Sequence, residues 1–136
     1  GAYLLEANNF STSYMENLGD GKFKLTPLPI QTQFSPIYAI LAKDINKDGN
    51  LDLVLAGNFY GTRVKYGRYD ANKGLLLLGD GNGGFTAVGD TASGLNIAGE
   101  VRDLVMVNEN TNAPLLLFAR NNQSVLVYRA NTETLN

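Results

Sequence analysis

The chain contains no cysteine, no histidine and no tryptophan among its 136 residues. Without cysteine it has no disulfide, no thiolate nucleophile and no cysteine-ligated zinc. Without histidine it lacks the commonest general base, and with it the Ser-His-Asp and Cys-His arrangements of hydrolases. Because any catalysis would have to rest on carboxylates, lysine or tyrosine, we predict that this chain is not an enzyme.

An excess of charge of one sign and long apolar runs are also missing. The 11 basic and 13 acidic residues give a net charge of −2. Proteins that bind phosphate backbones usually carry a strongly basic face, so no nucleic-acid partner is expected. No apolar run approaches the roughly 18 residues that a membrane-spanning helix needs, so we expect no membrane insertion in this segment.

Short apolar runs bounded by Gly, Asn, Asp or Pro are the main pattern of the chain. Their length is typical of strands buried on both faces rather than of helices. Asp20-Gly21 and Asp80-Gly81 are typical of tight hairpins, because glycine accepts a positive φ. The sequence therefore predicts an all-β fold with strands near residues 37–42, 51–56, 75–78, 115–119 and 125–128.

Three signals recur along the chain, which indicates internal repeats. The hairpin sequence around Asp20 returns around Asp80, 60 positions later. Residues 36–58 align without a gap on residues 99–121, at an offset of 63. The third signal is an asparagine at the end of a predicted strand, which we interpret as a structural hydrogen-bonding residue at Asn9, Asn58 and Asn121.

Repeats of about 50 to 60 residues match the size of a four-stranded propeller blade. We therefore predict antiparallel β-propeller blades that form a partial propeller of about two to three blades. Residues 1–30 would be the end of a first blade, residues 31–90 a complete blade, and residues 91–136 a degenerate third blade.

Oxygen-bearing side chains alternate in the loop that follows the first predicted strand of the complete blade. Calcium takes six to eight hard oxygen ligands, and alternate spacing lets a curled loop point every second side chain inward. Gly49, at position 6 of the loop, permits the sharp turn, and a backbone carbonyl would supply the ligand at position 7. The sequence predicts one Ca²⁺ ion bound by Asp44, Asn46, Asp48, Asn50 and Asp52.

This loop is not an EF-hand, because its position 12 is Leu55, inside a strand-like run, rather than a bidentate Glu. Three aspartates in one tight bend would need a cation between them. An Asp/Asn/Gly-rich hairpin without a metal is the alternative interpretation. In the third repeat the aligned positions include Val107 and Leu115, so that copy is expected to bind no calcium.

Three segments together resemble the FG-GAP, or VCBS-type, repeat of integrin-α-like β-propellers: Phe34-Ser35-Pro36, the loop from Asp44 to Asp52, and the hairpin around Asp80. Residues 28–128 look like the C-terminal end of bacterial surface proteins that combine such repeats with an ASPIC/UnbV-type region. The resemblance implies a calcium-binding blade, a secreted or cell-surface location, and a role in adhesion or ligand binding. Such propellers close with more blades than this chain supplies, so we expect the remaining blades of a longer parent, or self-association, as partners.

A second candidate site is the segment 59–70, which carries three tyrosines and three basic residues between two predicted strands. Long ordered loops often carry function, and Tyr and Arg are common binding anchors. We predict that a glycan or a protein ligand binds here through Tyr60, Arg63, Tyr66 and Arg68. The alternative is a loop that packs on a neighbouring blade, with Arg68 and Asp70 paired locally.

Two other functional interpretations stay open. The chain could be the propeller part of a carbohydrate-active enzyme that uses calcium to bind an acidic substrate, although its lack of histidine disfavours this. It could also be a purely structural scaffold region. Glu100 and Asp103 could form a catalytic carboxylate pair, but an ion pair between Arg102 and Asp103 at a blade edge is the preferred interpretation.

Overall fold

The structure is a computed structural model that describes residues 3–108, 111 and 114–130. Nine strands occur in this part of the chain. They are β1 (Ser13–Gly19), β2 (Lys22–Pro27), β3 (Ile37–Lys43), β4 (Asp52–Gly57), β5 (Leu75–Gly79), β6 (Phe85–Val88), β7 (Val101–Val107), β8 (Leu115–Arg120) and β9 (Leu126–Arg129). The described helices are single turns: 3-10 helices at Ile30–Gln33 and Val64–Tyr66, and α1 at Asp90–Ser93.

All strand pairs are antiparallel, and the strands pair in chain order within three sheets. The first sheet is the β1–β2 hairpin, the second has the order β3-β4-β5-β6, and the third has the order β7-β8-β9. The all-β, antiparallel fold class predicted from the sequence is confirmed.

The main core lies between the second and third sheets, where β3 and β7 lie against each other. From the second sheet it contains a row of residues that are paired across all four strands: Leu41, Val54, Leu76 and Val88. From the third sheet it contains Phe118, which is fully buried, with Leu104 and Leu116 beside it. Alternate residues of a strand point to opposite faces, so each sheet contributes only one face to this core.

The opposite face of the second sheet holds a smaller core. Leu55 and Leu77 are almost completely buried there, and Leu28 and Phe85 pack against them. The first hairpin reaches this face through Tyr14, whose ring meets that of Phe85 edge to face with centroids 5.8 Å apart. The inner strands β4 and β5 are thus covered on both faces, as their continuous apolar runs require, whereas Ile40 of β3 on this face is 62% exposed.

The pairing registers correct the ungapped alignment of the two repeats. Ile40 is opposite Leu55 in the second sheet, whereas Leu104 is opposite Phe118 in the third. Strand β8 follows β4 at the expected offset of 63, but β7 follows β3 at an offset of 64. The cause is the connecting loop, which has eight residues (44–51) in the second sheet and seven (108–114) in the third.

Candidate functional site

Asp52 opens β4 and closes the loop that contains the predicted calcium ligands. Its side chain is fully buried, and its Oδ2 accepts hydrogen bonds from the backbone N–H groups of Ile45 (2.8 Å) and Asn46 (3.3 Å). Its Oδ1 accepts one from the N–H of Gly79 on β5 (3.0 Å). Asp52 therefore fastens both ends of the loop to the sheet.

Asp44 and Asn46 direct their side-chain oxygens to the same turn of the loop. Asp44 Oδ1 and Asn46 Oδ1 both accept a hydrogen bond from the backbone N–H of Asp48, at 3.2 and 3.1 Å. Asp44 Oδ2 accepts a second one from the N–H of Gly49, at 3.0 Å. The chain can curl this tightly because Gly49 has a φ of +91°, a conformation that side chains with a Cβ rarely adopt.

Asp48 completes this group from the other side of the turn. Its Oδ2 accepts a hydrogen bond from Asn46 Nδ2 (3.0 Å), and its Oδ1 accepts one from the N–H of Asn50 (2.8 Å). The donors on Asn46 and Asn50 lower the pKa of the Asp48 carboxyl below its usual value. Asp48 is exposed, so its negative charge is available to a ligand from solvent.

The structure thus divides the five predicted ligands. Asp44, Asn46 and Asp48 share one hydrogen-bond network, whereas Asp52 is turned into the sheet. In the described part of the chain, no three His, Cys, Asp or Glu side chains gather as a group that could hold a metal ion. The side chain of Asn50 lies against Gly81 of the β5–β6 loop. The contact is close: a Cβ atom added to Gly81 would lie 2.5 Å from Asn50 Oδ1.

Backbone and amide N–H groups surround each of the three loop aspartates. A carboxylate that accepts such hydrogen bonds is stabilised in its charged form without a cation. The three aspartates of this bend therefore have hydrogen-bond donors of their own and do not require a cation between them, contrary to the expectation from the sequence. The donor set still fits calcium, since Asp44, Asn46 and Asp48 offer hard oxygens in one curled turn.

The second candidate site is a protruding loop between β4 and β5. An isolated antiparallel bridge between Phe59 and Tyr69 forms its base, and the 3-10 turn Val64–Tyr66 forms its tip. The guanidinium of Arg68 lies 4.8 Å from the ring centroid of Tyr60. Two of the four predicted binding residues therefore contact each other.

The tip of this loop carries the other two predicted residues. Arg63 precedes the 3-10 turn at its N-cap position, without a side-chain capping hydrogen bond, and Tyr66 is 67% exposed. The ammonium of Lys65 lies 5.8 Å from the centroid of the Tyr66 ring. Val64 is fully exposed. The tip thus presents aromatic, apolar and basic groups together to solvent.

Sequence reasoning missed a polar cluster at the junction of the second and third sheets. Glu100 Oε1 accepts hydrogen bonds from the N–H of Tyr60 (2.9 Å) and from Arg102 (2.7 Å), and Oε2 accepts one from Asn121 Nδ2 (3.0 Å). These donors, that of Tyr60 first, lower the pKa of the Glu100 carboxyl. Arg102 pairs with Glu100 rather than with Asp103, so the preferred ion pair was wrong. The recurring asparagines were the signal that pointed to this region.

Asn58 at the end of β4 is buried in the same cluster. Its Oδ1 accepts hydrogen bonds from Ser35 Oγ (2.8 Å) and the N–H of Asn72 (3.0 Å). Its Nδ2 donates to the carbonyls of Asn72 (2.7 Å) and Gly99 (3.0 Å). The structural role predicted for an asparagine at this repeat position is confirmed for Asn58.

Comparison with protein-family models, with curated proteins and with solved structures finds no match to this chain. The described residues contain no helix with the length and apolar character needed to cross a membrane.

In the third repeat, Val107 ends β7 and Leu115 begins β8. The aligned positions 109 and 112 lie outside the described residues.

Proposed function

We propose that the chain is a calcium-binding, FG-GAP-like β-propeller segment that serves as an extracellular or cell-surface binding and adhesion module. The observation that carries this proposal is the curled β3–β4 loop, in which Asp44 and Asn46 accept hydrogen bonds from the same N–H group and Asp48 accepts one from the Asn46 side chain. The second sheet, in residues 31–90, is the calcium-binding blade, and the flanking sheets are parts of two further blades.

The ion would be held by Asp44, Asn46 and Asp48, with the Asn50 carbonyl at position 7 of the loop. Calcium would neutralise the two exposed carboxylates and tie the loop together. Asp52 remains a predicted ligand, and its hydrogen bonds to Ile45, Asn46 and Gly79 give it a structural role as well. The stabilisation would be about 2.7 kcal/mol at a free calcium concentration about 100 times the dissociation constant.

Titration calorimetry with Ca²⁺, and thermal melting with Ca²⁺ or a chelator, test the calcium site. We expect a single site and a higher melting temperature with Ca²⁺. Asp44→Asn and Asp48→Asn should each weaken the binding at least tenfold, because each removes a negative charge and a carboxylate oxygen. Asp70→Asn, which changes an exposed aspartate outside the loop, is the matched control. No binding heat, together with a melting temperature that neither Ca²⁺ nor chelator changes, would refute the calcium site.

The loop from Phe59 to Tyr69 supports the role in binding, because its tip combines an exposed tyrosine with basic side chains. We expect alanine at Tyr60, Arg63, Tyr66 and Arg68 to abolish binding in a panel of acidic and neutral polysaccharides. The same panel, assayed for released reducing ends, tests the enzyme alternative. Release by the wild-type chain would contradict the proposal that this is a binding module.

A further inference from the structure

The second sheet of this protein has two different apolar faces, and each face contacts a different part of the chain. We call the face with the row Leu41, Val54, Leu76 and Val88 the A face; it packs on the third sheet. The opposite B face carries Leu53, Leu55, Leu75 and Leu77, and it packs toward the first hairpin.

The third sheet contacts the second sheet through its own B face. Strand β8 follows β4 at an offset of 63, so Leu116 and Phe118 correspond to Leu53 and Leu55, which are B-face residues of the second sheet. Leu116 and Phe118 are buried in the core between the two sheets. The contact between these sheets is therefore A face on B face.

The first hairpin follows the same rule. Its Asp20-Gly21 turn corresponds to the Asp80-Gly81 turn, which makes β1 and β2 the equivalents of β5 and β6. Tyr14 lies on the hairpin's A face and contacts Phe85 on the B face of the second sheet. That face also carries the ion pair between Lys24 and Glu16, so Tyr14 is its aromatic contact residue. The contact with Phe85 has the same direction, A face on B face, as the packing of the second sheet on the third.

This stacking leaves one apolar face uncovered at each end. The A face of the third sheet carries the cross-strand row Val105, Leu117 and Val127, in which Val105 is 44% and Val127 is 57% exposed. The B face of the hairpin carries Met15, Phe23 and Leu25, which are 59%, 55% and 52% exposed. Monomeric proteins rarely leave such contiguous apolar faces open to water.

We propose that a second copy of this chain covers these faces, with the A face of its third sheet on the B face of the first copy's hairpin. The contact would repeat the A-on-B interface that joins the second and third sheets inside the chain. It joins two different surfaces, so the assembly is head-to-tail and grows into a ring or an open stack. The proposal rests on the repeat organisation given under the proposed function, but not on the calcium ion.

Sedimentation velocity and light scattering on the whole chain, over a range of concentrations, test this proposal. Val127→Glu blocks the A face of the third sheet, and Phe23→Glu blocks the B face of the hairpin. Both positions are exposed, so folding should survive, and circular dichroism checks this. Val64→Glu, at the tip of the β4–β5 loop, is the matched control.

We expect the wild-type chain and Val64→Glu to associate, and each face variant alone to be monomeric. A mixture of the two face variants should stop at a 1:1 dimer, because only one A face and one B face remain free. A folded wild-type chain that stays monomeric at every concentration would overturn the proposal. Undiminished association of either folded face variant, or no dimer in the mixture, would also overturn it. Calcium binding is measured in a separate titration, so a negative result in the association experiment would not contradict the proposed calcium site.

Discussion

At the scale of single residues, the aspartates of the β3–β4 loop have opposite surroundings. Asp52 is fully buried, and its two oxygens accept hydrogen bonds from three backbone N–H groups, two in the loop and one on β5. Asp44 is exposed, and water can replace the hydrogen bonds that it accepts. Removing the Asp52 side chain should therefore lower the stability of the fold, whereas removing the Asp44 side chain should affect only the binding of a cation.

We predict that Asp52→Ala lowers the free energy of unfolding by about 3 kcal/mol, even in the presence of a chelator. The reason is that three backbone donors lose their acceptor, and each unsatisfied buried group costs about 1–3 kcal/mol before water enters. Urea unfolding with chelator measures this change. Asp44→Ala is the control and should stay within about 1 kcal/mol of wild type. Equal stability of the two variants would contradict the role given to Asp52.

Glu100 should make stability depend on acidic pH. Its pKa is lowered in the folded chain by the N–H of Tyr60, by Asn121 and by Arg102. A lowered pKa means that Glu100 stabilises the fold fully above its unfolded value of about 4.5, and that this stability is lost as the pH falls through the folded pKa. Melting temperatures of wild type and Glu100→Gln should therefore differ near neutral pH and converge in acid. A constant difference over the whole range would contradict this prediction.

At the scale of secondary-structure elements, Gly79 at the end of β5 allows the β3–β4 loop to approach this strand closely. A Cβ on Gly79 would lie 2.1 Å from the carbonyl oxygen of Leu51, and the N–H of Gly79 donates to Asp52. We predict that Gly79→Ala costs 2 kcal/mol or more, roughly the upper part of the range for overpacking. Gly89→Ala is the control, because Gly89 has a φ of −62° and open space around its Cβ position.

Gly89→Ala should leave stability unchanged or raise it by about 0.4–1 kcal/mol, since alanine restricts the unfolded chain. Thermal unfolding of both variants with chelator separates the packing effect from any effect of calcium. A Gly79→Ala variant as stable as Gly89→Ala would show that Leu51 moves aside at no cost.

The strands themselves could be predicted from the sequence, because short apolar runs between turn residues carry their own signal. The runs at 37–42 and 51–56 correspond to β3 and β4 within one residue at each end. The register of β7 could not be predicted, since it depends on a one-residue difference in loop length that an ungapped alignment hides. The partner of Arg102 was also missed, because Glu100 lies just before the strand and is oriented by the N–H of Tyr60, 40 residues away.

The β3–β4 loop shows the same limit of sequence-based prediction at Asp52, the last predicted ligand. The alternate spacing of oxygen-bearing residues predicts that Asp52 binds the same metal ion as Asp44 and Asp48. The structure separates Asp52 because β4 begins there, and because Gly79 of the neighbouring strand offers it an N–H group. That donor comes from a residue 27 positions away, so the spacing of the loop alone could not reveal it.

At the scale of the whole molecule, the second and third sheets are expected to unfold together, because one apolar core joins them. Phe118 lies at its centre with no exposed surface, and its ring meets that of Tyr128 edge to face at 5.7 Å. Val54 and Ala56 of the second sheet belong to the same core. If either sheet unfolds, the apolar face that the other sheet contributes to this core is exposed to water.

Phe118→Ala tests this coupling directly. Its truncation should lower the free energy of unfolding by about 3–5 kcal/mol, as for other buried phenylalanines. Val125→Ala, at a position that is 53% exposed, should change it by less than about 0.5 kcal/mol. Amide hydrogen exchange followed strand by strand gives the decisive measurement. In Phe118→Ala, protection should fall in β4 and β5 as well as in β8, because the shared core is weakened for both sheets. Loss of protection confined to β7–β9 would show instead that the two sheets fold as separate units.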